Sequence, residues 1–583
     1  MRRHLNKIGF VTLFISATPF GISTKFARLS RLLKNPLAAG RIASVALAVL
    51  LANILGCSSQ KPAPASSPRY GGTLNWAVTA EMEQLDPQRI MFRSDWQVAS
   101  LIYEGLLTIG KDHNQLIPRL AENWEKLDGG RRLIFHLRHD VCFHDDPCFP
   151  DGVGREFQAR DVVYTFQRIA DPDVASPNWY LFKDKIEGIE AYHERTAPDI
   201  SGIRALDDST VEIKLTRPYY SFLKLLATPT AFIVPQEAVA HYGADFSHHP
   251  VGAGPFRLVH WRRLADISLV KNDRAWEKDE VGRPLPYLDG LHIRLISNPM
   301  LSVSEFLKGS LDLLAVNEKQ FAQLGQEAGF EQKFIVAQKD DDFSVRFFGI
   351  SMNGGSVIAR RPEIRRAIAC AFDNRALAQQ FPIDIPKGLV PSFLLGSASP
   401  KWYAHDPAAA KKMIDNLDTN VTKSPIYLCS NISGEAVNLL SKAMLRIGLT
   451  CRVDIHAMRY YEHIMHKRPE IFRVSFYPSY PDPEEYYALF YSKSSPSVNL
   501  TGYCNPQFDA LLEQAFVEQD AGKRQSIFLR LEKLLKRDVP AIYISHSRPK
   551  YFITPKNIHG LSIQSTIPDF RKVWIESQDA EQK

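Results

Sequence analysis

The hydrophobic pattern from residue 70 onward switches repeatedly between the period of a β-strand and the period of an α-helix. In "RLIFHLR" (132–138), Leu133, Phe135 and Leu137 share one face, as in a half-buried strand. In "NPQFDALLEQAFVEQD" (505–520), apolar residues recur at the i, i+3, i+4, i+7 spacing of a helix laid on a core. These residues are Phe508, Leu511, Leu512, Ala515 and Phe516. No fixed-period repeat interrupts the alternation, so the pattern predicts a mixed α/β protein.

Further segments fit the same alternation. "QARDVVYTFQRIADP" (158–172) predicts a helix with Val162, Val163 and Phe166 inward and an end at Pro172. A second C-terminal helix is predicted over 523–538. Strands are predicted at "PIYLC" (425–429), "CRVDI" (451–455) and "PAIYISH" (540–546). A chain of 583 residues, 45% of them hydrophobic, can bury cores for at least two lobes.

The first 56 residues are typical of an export signal. They hold eight Lys and Arg and no acidic residue, followed by an apolar run too short for a comfortable membrane span. The run ends in "ILGC", which resembles the bacterial lipobox and marks Cys57 for lipid attachment. Residues 57–69, rich in Ser, Pro and Ala, are predicted to form a flexible tether. The protein is therefore predicted to be an extracytoplasmic, membrane-anchored lipoprotein.

The charge distribution argues against nucleic-acid binding. The formal net charge is +7, but without residues 1–56 it falls to −1. The basic excess thus belongs to the export signal, and no basic patch remains as an electrostatic footprint for DNA or RNA.

The remaining cysteines lie in a compartment where disulfides form. Cys142 and Cys148, in the loop-like "VCFHDDPCFP", are predicted to form a small disulfide, with two free thiols as the alternative. Cys429 and Cys451 end one predicted strand and begin another, and two buried thiols are expected there.

Motifs for catalysis and for cofactors are weak or absent. Ser221 and Lys224 fit S-x-x-K, but the S-D-N and K-T-G motifs that accompany it are missing, so both are expected to be structural. His144, Asp145 and Asp146 are consecutive, and adjacent side chains diverge, so a solvated turn is expected rather than a metal site. We predict a binding protein with no enzymatic activity, no cofactor and no metal.

The segment "FYPSYPDPEEYYALF" (476–490) combines an aromatic turn with a helix start. Asp482 before Pro483, with Glu485 two residues after the proline, has the order of N-cap, N1 and N3. Asp482 is therefore predicted to cap a helix.

The order of the segments resembles family 5 of the extracellular solute-binding proteins, the peptide and nickel type that serves ABC importers. The matching segments span nearly the whole chain after the tether. They are "YGGTLNWAV" with "QLDP", the block 102–145, "ARDVVYTFQR", "VGAGPFRLVHW", "KGSLDLL", "RPEIRRAIACAFDNRAL", and "YPDPEEYYALFYS" with "NLTGYCNPQFDALLEQA".

The resemblance implies a type II periplasmic-binding-protein-like fold, with two hinged lobes and an extra inserted domain. By similarity, lobe I takes residues 70–105, 237–343 and 541–583, the inserted domain takes 106–236, and lobe II takes 344–540. A ligand in the cleft between the lobes favours the closed state through contacts made only there.

The resemblance also implies a ligand site around a D-Y-x-x-P motif, whose aspartate takes the α-ammonium of a peptide. This chain has Ser479 at that position, followed by Tyr480. The loss of a carboxylate partner for a buried ammonium costs about 3–5 kcal/mol, which is roughly two to four decades of affinity. The ligand amine is therefore expected to be neutralised elsewhere, or the ligand has none.

Arg473 falls where some relatives keep an arginine for a ligand carboxylate, and a structural ion pair is the alternative. If the segment is extended, Arg473, Ser475, Tyr477 and Ser479 share one face, which is expected to point into the cleft. Other candidate ligand contacts complete the predicted site. They are Phe476 and Tyr480 in the same segment, Phe92 and Ser94 after the opening strand, and Trp179 and Tyr180 in the inserted domain.

The function implied is a monomeric, lipid-anchored receptor that presents a peptide or peptide-like solute to an ABC permease and its ATPase. A nickel chelate, haem, an opine or a sugar is an alternative ligand class, because one fold serves several chemistries. A non-transport envelope sensor or chaperone-like peptide binder is the alternative function.

Overall fold

The computed structural model describes residues 67–111, 115–340, 343–396, 402–417, 424–564 and 567–576. The predicted export signal, Cys57 and the tether up to residue 66 lie outside the described residues. In the part of the chain that the structure describes, no helix combines the length and apolar character needed to cross a membrane.

Strands and helices alternate along the chain, as predicted. The strands are β1 (Thr73–Val78), β2 (Leu107–Ile109), β3 (Leu116–Pro118), β4 (Ala121–Leu127), β5 (Arg132–Leu137), β6 (Ile203–Asp207), β7 (Thr210–Lys214), β8 (Phe256–Arg262), β9 (Asp266–Lys271), β10 (Gly290–Leu295), β11 (Leu314–Val316), β12 (Phe334–Asp340), β13 (Val345–Ile350), β14 (Ile383–Asp384), β15 (Ile426–Ser430), β16 (Cys451–Ile455), β17 (Ile471–Phe476), β18 (Ala541–Ser547), β19 (Lys550–Pro555), β20 (Ile558–His559), β21 (Ser562–Gln564), β22 (Ile567–Asp569) and β23 (Trp574–Ile575).

The α-helices are numbered separately. They are α1 (Arg93–Ile102), α2 (Ala159–Ala170), α3 (Ile189–His193), α4 (Phe222–Leu225), α5 (Gln236–Tyr242), α6 (Pro299–Leu307), α7 (Glu318–Leu324), α8 (Phe330–Lys333), α9 (Val357–Arg360), α10 (Pro362–Ala371), α11 (Asn374–Gln380), α12 (Ser392–Leu395), α13 (Pro407–Asp415), α14 (Glu435–Arg446), α15 (Tyr460–Lys467), α16 (Pro483–Ala488), α17 (Pro506–Val517) and α18 (Ala521–Asp538).

The predicted elements are confirmed. The five apolar residues predicted to face the core from α17 are all buried. Helix α2 buries Val162 and Phe166 fully and ends one residue before Asp171-Pro172, because the residue before a proline disfavours helical backbone. The mixed α/β fold class therefore follows from periodicity alone.

The largest sheet has six strands in the order β14-β18-β13-β17-β15-β16. Strands β15, β16 and β17 are parallel, whereas β13 is antiparallel to both β17 and β18. Helices α10, α13 and α14 pack on one face around Phe348 and Ile471. Helices α15, α16 and α18 belong to the core on the other face, with Phe347 and Phe472. A sheet covered on both faces buries apolar residues on both sides of its strands.

Two other sheets join the middle of the chain to its ends, the first to an N-terminal strand and the second to a C-terminal strand. Strands β1-β10-β9-β8 form one, with β1 parallel to β10, and β11-β19-β12 form the other. The chain passes from β12 into β13 of the six-stranded sheet and returns from β18 to β19. Strand β18 (Ala541–Ser547) lies between β14 and β13, so the chain leaves the six-stranded sheet after Ser547 rather than at the predicted boundary of residue 541.

A four-stranded antiparallel sheet, β4-β5-β7-β6, occupies the segment predicted to be an inserted domain. Helix α2 is joined to the loop after β1 by a buried ion pair. The Arg168 guanidinium donates to both carboxylate oxygens of Asp86, at 2.6 and 2.5 Å, and to Gln88 Oε1 at 2.6 Å. Asp86 is 2% exposed, so this pair ties the inserted segment to the first sheet.

The predicted Cys142 to Cys148 disulfide is wrong in this structure, since both are free thiols. Cys142 lies in a β-bridge with Glu156 beside the Arg274 guanidinium, whereas the Cys148 thiol hydrogen-bonds Asp146.

Cys429 and Cys451 are also free, as expected, because Cys451 pairs with Ile426 and Cys429 pairs with Asp454 in the β15 to β16 register. Cys429 is buried, and Cys451 is only partly so.

Replacing Arg168 tests the buried pair. Arg168→Ala leaves Asp86 charged and buried, so we expect the free energy of unfolding, measured by urea denaturation, to fall by about 3–5 kcal/mol. The control is Arg160→Ala, at an exposed position of the same helix, with an expected change within about 0.5 kcal/mol. Equal effects of the two substitutions would show that the ion pair does not hold these segments together.

Candidate functional site

A cavity of about 1070 Å³, partly open to solvent, brings together segments that are distant in sequence. We call it the first cavity. Its lining includes Arg93, Trp96, Ser100, Tyr103, Glu104, Arg119, Phe232, Phe343, Tyr477, Ser479, Tyr480 and Arg571. Three of the predicted ligand contacts, Tyr477, Ser479 and Tyr480, thus line one cavity. Helix α1, the segment 104–119 and the C-terminal stretch supply much of the opposing wall.

The turn that carries Ser479 is held by a buried ion cluster at the start of α16. Arg524 donates to both oxygens of Asp482, at 2.9 and 2.8 Å, and to Glu484 Oε2 at 2.6 Å. Lys224 lies 3.6 Å from Asp482, and Arg524 also donates to Ser221 Oγ at 3.2 Å. Ser221 and Lys224 are therefore structural, as expected.

The prediction that Asp482 caps the helix is confirmed. Its Oδ1 accepts the backbone N–H of Glu484 at 3.1 Å. With two oxygens committed to this N–H and to Arg524, Asp482 has no capacity left for a ligand amine. It cannot replace the carboxylate that Ser479 lacks.

Glu485 occupies the space behind Ser479. Its carboxylate accepts the Ser479 N–H at 2.8 Å and the Tyr480 N–H at 3.2 Å, and it also hydrogen-bonds the Ser479 hydroxyl. The Tyr180 hydroxyl completes the set. The polar groups of Ser479 are thus committed inward to Glu485.

Burial dominates the electrostatics of Glu485. Glu485 is only 3% exposed. Burial raises the pKa of its carboxyl to about 7, although the hydrogen bonds from the backbone N–H groups of Ser479 and Tyr480 lower it. The neighbouring Glu484 carboxylate acts in the same direction as burial. An aspartate at position 479 would therefore lie next to the Glu485 carboxyl, whose pKa is already raised by burial and by Glu484.

Arg473 and Ser475 share a face of β17, as the period of a strand predicts, but neither residue lines the first cavity. In the register with β13, Arg473 is opposite Phe348 and Ser475 is opposite Arg346, so the two arginines share a face on neighbouring strands. Arg473 donates to Asn431 Oδ1 at 3.1 Å, and Arg346 donates to the Tyr477 hydroxyl at 3.4 Å. We call Arg346 and Arg473 the arginine pair.

The two guanidinium groups give the arginine pair a net positive charge. Among the described residues, neither guanidinium forms an ion pair, so the alternative of a structural ion pair for Arg473 is wrong for this part of the chain. Burial, followed by the repulsion from Arg346, lowers the pKa of Arg473. A carboxylate placed between the two groups would relieve that repulsion. Tyr477 connects the pair to the first cavity, because its hydroxyl meets Arg346 and its side chain lines the cavity.

Several other predicted contacts lie elsewhere. Phe92 is 43% exposed, and Ser94 is buried with its hydroxyl donating to the Glu81 carbonyl, so neither lines the cavity. Helix α1 begins at residue 93 and instead turns Arg93 and Trp96 toward the cavity.

Phe476 is on the face of β17 opposite the arginine pair. Its ring packs edge-on against Tyr486 at a centroid distance of 5.5 Å. Phe476 does not line the first cavity, because alternation along the strand turns this side chain toward the core.

Trp179 and Tyr180 line a separate cavity of about 830 Å³, which we call the second cavity. Trp179 stacks on His193, and Tyr180 binds Glu485 from the side away from the first cavity. Tyr480 borders both cavities. Tyr180 therefore supports the turn through Glu485, and neither Trp179 nor Tyr180 lines the first cavity.

The far wall of the first cavity carries charges that satisfy one another. Arg119 donates to Glu104 Oε2 at 3.0 Å and to Glu277 at 2.8 Å. Arg571 donates to the two oxygens of Asp569 at 2.8 Å each and to Glu277 at 3.1 Å. Every carboxylate of this wall already has a guanidinium partner, so none stands ready for a ligand ammonium.

The sequence did not predict the place of Arg346 beside Arg473, nor the hydrogen bonds of Glu485 to the backbone of Ser479 and Tyr480. Arg346 is a single basic residue in an otherwise apolar strand, and only the β13 to β17 register places it beside Arg473. His144 was expected in a solvated turn, but it is buried and bonded through Nε2 to the Gly254 carbonyl at 3.0 Å.

Comparisons with known proteins agree with this architecture. The sequence model described as "Bacterial extracellular solute-binding proteins, family 5 Middle" matches residues 115–497. The chain is 25% identical over 475 residues to "Peptide transport periplasmic protein SapA" of Salmonella typhimurium, covering 77% of this chain and 82% of that protein. It is 26% identical over 478 residues to "Probable deoxycholate-binding periplasmic protein YgiS" of Escherichia coli K12, covering 79% and 85%.

A solved structure shares the fold. The periplasmic binding protein DppA from Helicobacter pylori, described as ABC transporter-associated and in complex with peptide STSA, superposes with a TM-score of 0.73 at 20% identity. The match covers 87% of this chain and 99% of that one.

The raised pKa of Glu485 gives a pH-dependent stability. A carboxyl whose pKa rises on folding contributes its stability below its unfolded value of about 4.5, and loses it as the pH rises through about 7. We expect the unfolding free energy of the wild type, relative to Glu485→Gln, to fall by about 2–3 kcal/mol between pH 5 and pH 8. Glu122→Gln, at an exposed position of β4, is the control and should keep the wild-type pH profile. A constant difference between wild type and Glu485→Gln would refute the buried, protonated carboxyl.

Proposed function

The chain belongs to family 5 of the bacterial extracellular solute-binding proteins, with a type II periplasmic-binding-protein fold, and from that premise we propose that it is the receptor of an ABC importer. The proposed ligand is a peptide or peptide-like solute that is recognised by a carboxylate rather than by a free amine. The family consists of binding proteins and not of enzymes, so recognition and release are its chemistry.

The observation that best supports this class of ligand is the hydrogen bonding of Ser479. Its N–H and hydroxyl are bound to Glu485, and the position offers no carboxylate to a ligand. Asp482 and the carboxylates of the far wall are committed to arginines. A buried ammonium at this place would lack a counter-ion at a cost of about 3–5 kcal/mol.

The arginine pair supports a carboxylate as the recognised group. Two guanidinium groups on one face, without a carboxylate partner among the described residues, supply several donors at fixed geometry. A relative whose name describes deoxycholate binding agrees with this choice, since deoxycholate carries a carboxylate and no amine. Peptides also end in a carboxylate, so the relatives named for peptides fit the same site.

We propose that the first cavity is the interlobe cleft. Lobe I then takes residues 70–105, 237–343 and the C-terminal stretch after Ser547, the inserted domain takes 106–236, and lobe II takes the six-stranded sheet. Support comes from the lining, which joins α1 and the C-terminal stretch to the turn at 477–481. A ligand touching both sides would favour closure, and the closed shape would be what the permease recognises.

The setting follows from the family and the N-terminal sequence. The protein is extracytoplasmic, as its relatives named periplasmic indicate. We propose that Cys57 carries a lipid that holds a monomeric receptor at the membrane, where an ABC permease and its ATPase are the partners.

Titration of end-modified tripeptides by calorimetry tests the ligand class. We expect peptides with a free N-terminal amine to bind the wild type no better than acetylated ones, because the site offers no carboxylate to the amine. Ser479→Asp should raise the preference for the free amine by roughly tenfold or more, since it restores a counter-ion.

The matched control is Ser475→Asp, which adds the same charge four residues earlier, on β17 at the arginine pair. It should weaken carboxylate binding without creating a preference for free amines. If the wild type binds free-amine peptides at least about a hundredfold better than acetylated ones, and Ser479→Asp adds nothing, the proposed recognition is wrong.

A further inference from the structure

Three residues with metal-ligating side chains meet at the edge of the six-stranded sheet, away from both cavities. The ligand atoms of Cys429, Asp454 and His463 all lie within 4.8 Å of one another. His463 Nε2 is 3.7 Å from Asp454 Oδ2. None of the three lines the first or the second cavity. The proposed solute site therefore leaves this cluster unexplained.

The fold places each member by a separate constraint. Cys429 and Asp454 are directly paired in the parallel register of β15 and β16, so their side chains point to the same face. Helix α15 packs on that face and contributes His463. The first residue of the helix, Tyr460, donates its hydroxyl to the Cys429 carbonyl at 3.1 Å and to the Arg473 carbonyl at 2.8 Å. The helix is thus fixed to both strands beside the cluster.

We propose that Cys429, Asp454 and His463 form a binding site for a divalent transition-metal ion of the zinc class. A thiolate, an imidazole and a carboxylate are the three ligand types that Zn²⁺ takes in proteins. Ligands at about 2.0–2.3 Å from a tetrahedral ion lie roughly 3.3–3.8 Å apart. The His463 to Asp454 distance of 3.7 Å already meets that requirement, and rotamer adjustments of about 1 Å would bring in the sulfur.

The surroundings suit an ion that enters from solvent. The Asp454 side chain is 56% exposed and that of His463 is 21% exposed, whereas Cys429 is buried behind them. The His456 ring stacks on the His463 ring at a centroid distance of 3.9 Å and holds its orientation. Water would complete the tetrahedron. On binding, the Cys429 S–H bond is broken, its proton passes to solvent, and the sulfur donates its electron pair to the metal.

The same three residue types could also form a nucleophilic triad, but the geometry excludes one. Cys429 is 1% exposed, and it lines neither the first nor the second cavity. A nucleophilic cysteine needs an open approach for the reacting carbon, whereas a metal ion that enters between the exposed edges of Asp454 and His463 reaches the sulfur after a small rotamer adjustment.

Titration of the purified protein with Co²⁺ tests the site, because a cobalt ion bound to a thiolate gives a near-ultraviolet charge-transfer band. We expect one such band, saturating at one ion per chain and lost on addition of Zn²⁺. Cys429→Ser should abolish the band, and His463→Gln should weaken binding of Zn²⁺ by roughly tenfold or more, as measured by calorimetry.

Cys504 provides the matched control, since it is an exposed free thiol outside the cluster. Cys504→Ser should keep the band and the affinity. If Cys429→Ser does not fold, Asp454→Asn at an exposed position replaces it and should keep the band with a roughly tenfold lower affinity. Absence of the band in the wild type, its loss in Cys504→Ser, or unchanged Zn²⁺ affinity in both Asp454→Asn and His463→Gln would overturn the proposal.

Discussion

The buried bond between Arg524 and Asp482 fixes the geometry on which the solute site depends. The guanidinium of α18 holds both oxygens of the residue that caps α16, and it lies between the rings of Tyr220 and Phe528 at 4.3 and 4.7 Å. Glu484 and Lys224 bring the formal charge of this buried cluster to zero, as burial requires. The start of α16 and the turn before it are consequently held in one position.

That position determines what the turn can offer to a ligand. The first turn of α16 points Glu485 back under the chain, where its carboxyl binds the backbone of Ser479 and Tyr480. With the donors of Ser479 satisfied from behind, the cavity side of the turn presents Tyr477 and Tyr480 as ring surface rather than charge. Positive charge is instead concentrated on the arginine pair, on β13 and β17 just before the turn, where neither guanidinium forms an ion pair among the described residues.

Local patterns in the sequence predicted the elements better than the site. The buried face of α17 and the cap at Asp482 follow from spacing over a few residues, and both are as expected. Arg346 and Arg473 are 127 positions apart, and only a strand register brings them together.

Cys429, Asp454 and His463 likewise meet through one register and one helix packing, which no local spacing encodes. Phe476 lies outside the first cavity for a simpler reason, because its two neighbours in sequence point to the opposite side of the strand from it. Phe476 and Tyr477 are both aromatic and were both predicted to contact ligand. Because successive side chains on a strand point to opposite faces, only Tyr477 lines the first cavity.

The receptor is proposed to recognise a carboxylate and not a free amine. The most direct test is native mass spectrometry of the protein purified from its own cells, with the ligand then released and identified. We predict that the released ligand is an acidic molecule without a free primary amine. We also predict that it no longer co-purifies when Arg346 and Arg473 are both replaced by Gln. A co-purified peptide with an unmodified N-terminus, retained in that double variant, would contradict it.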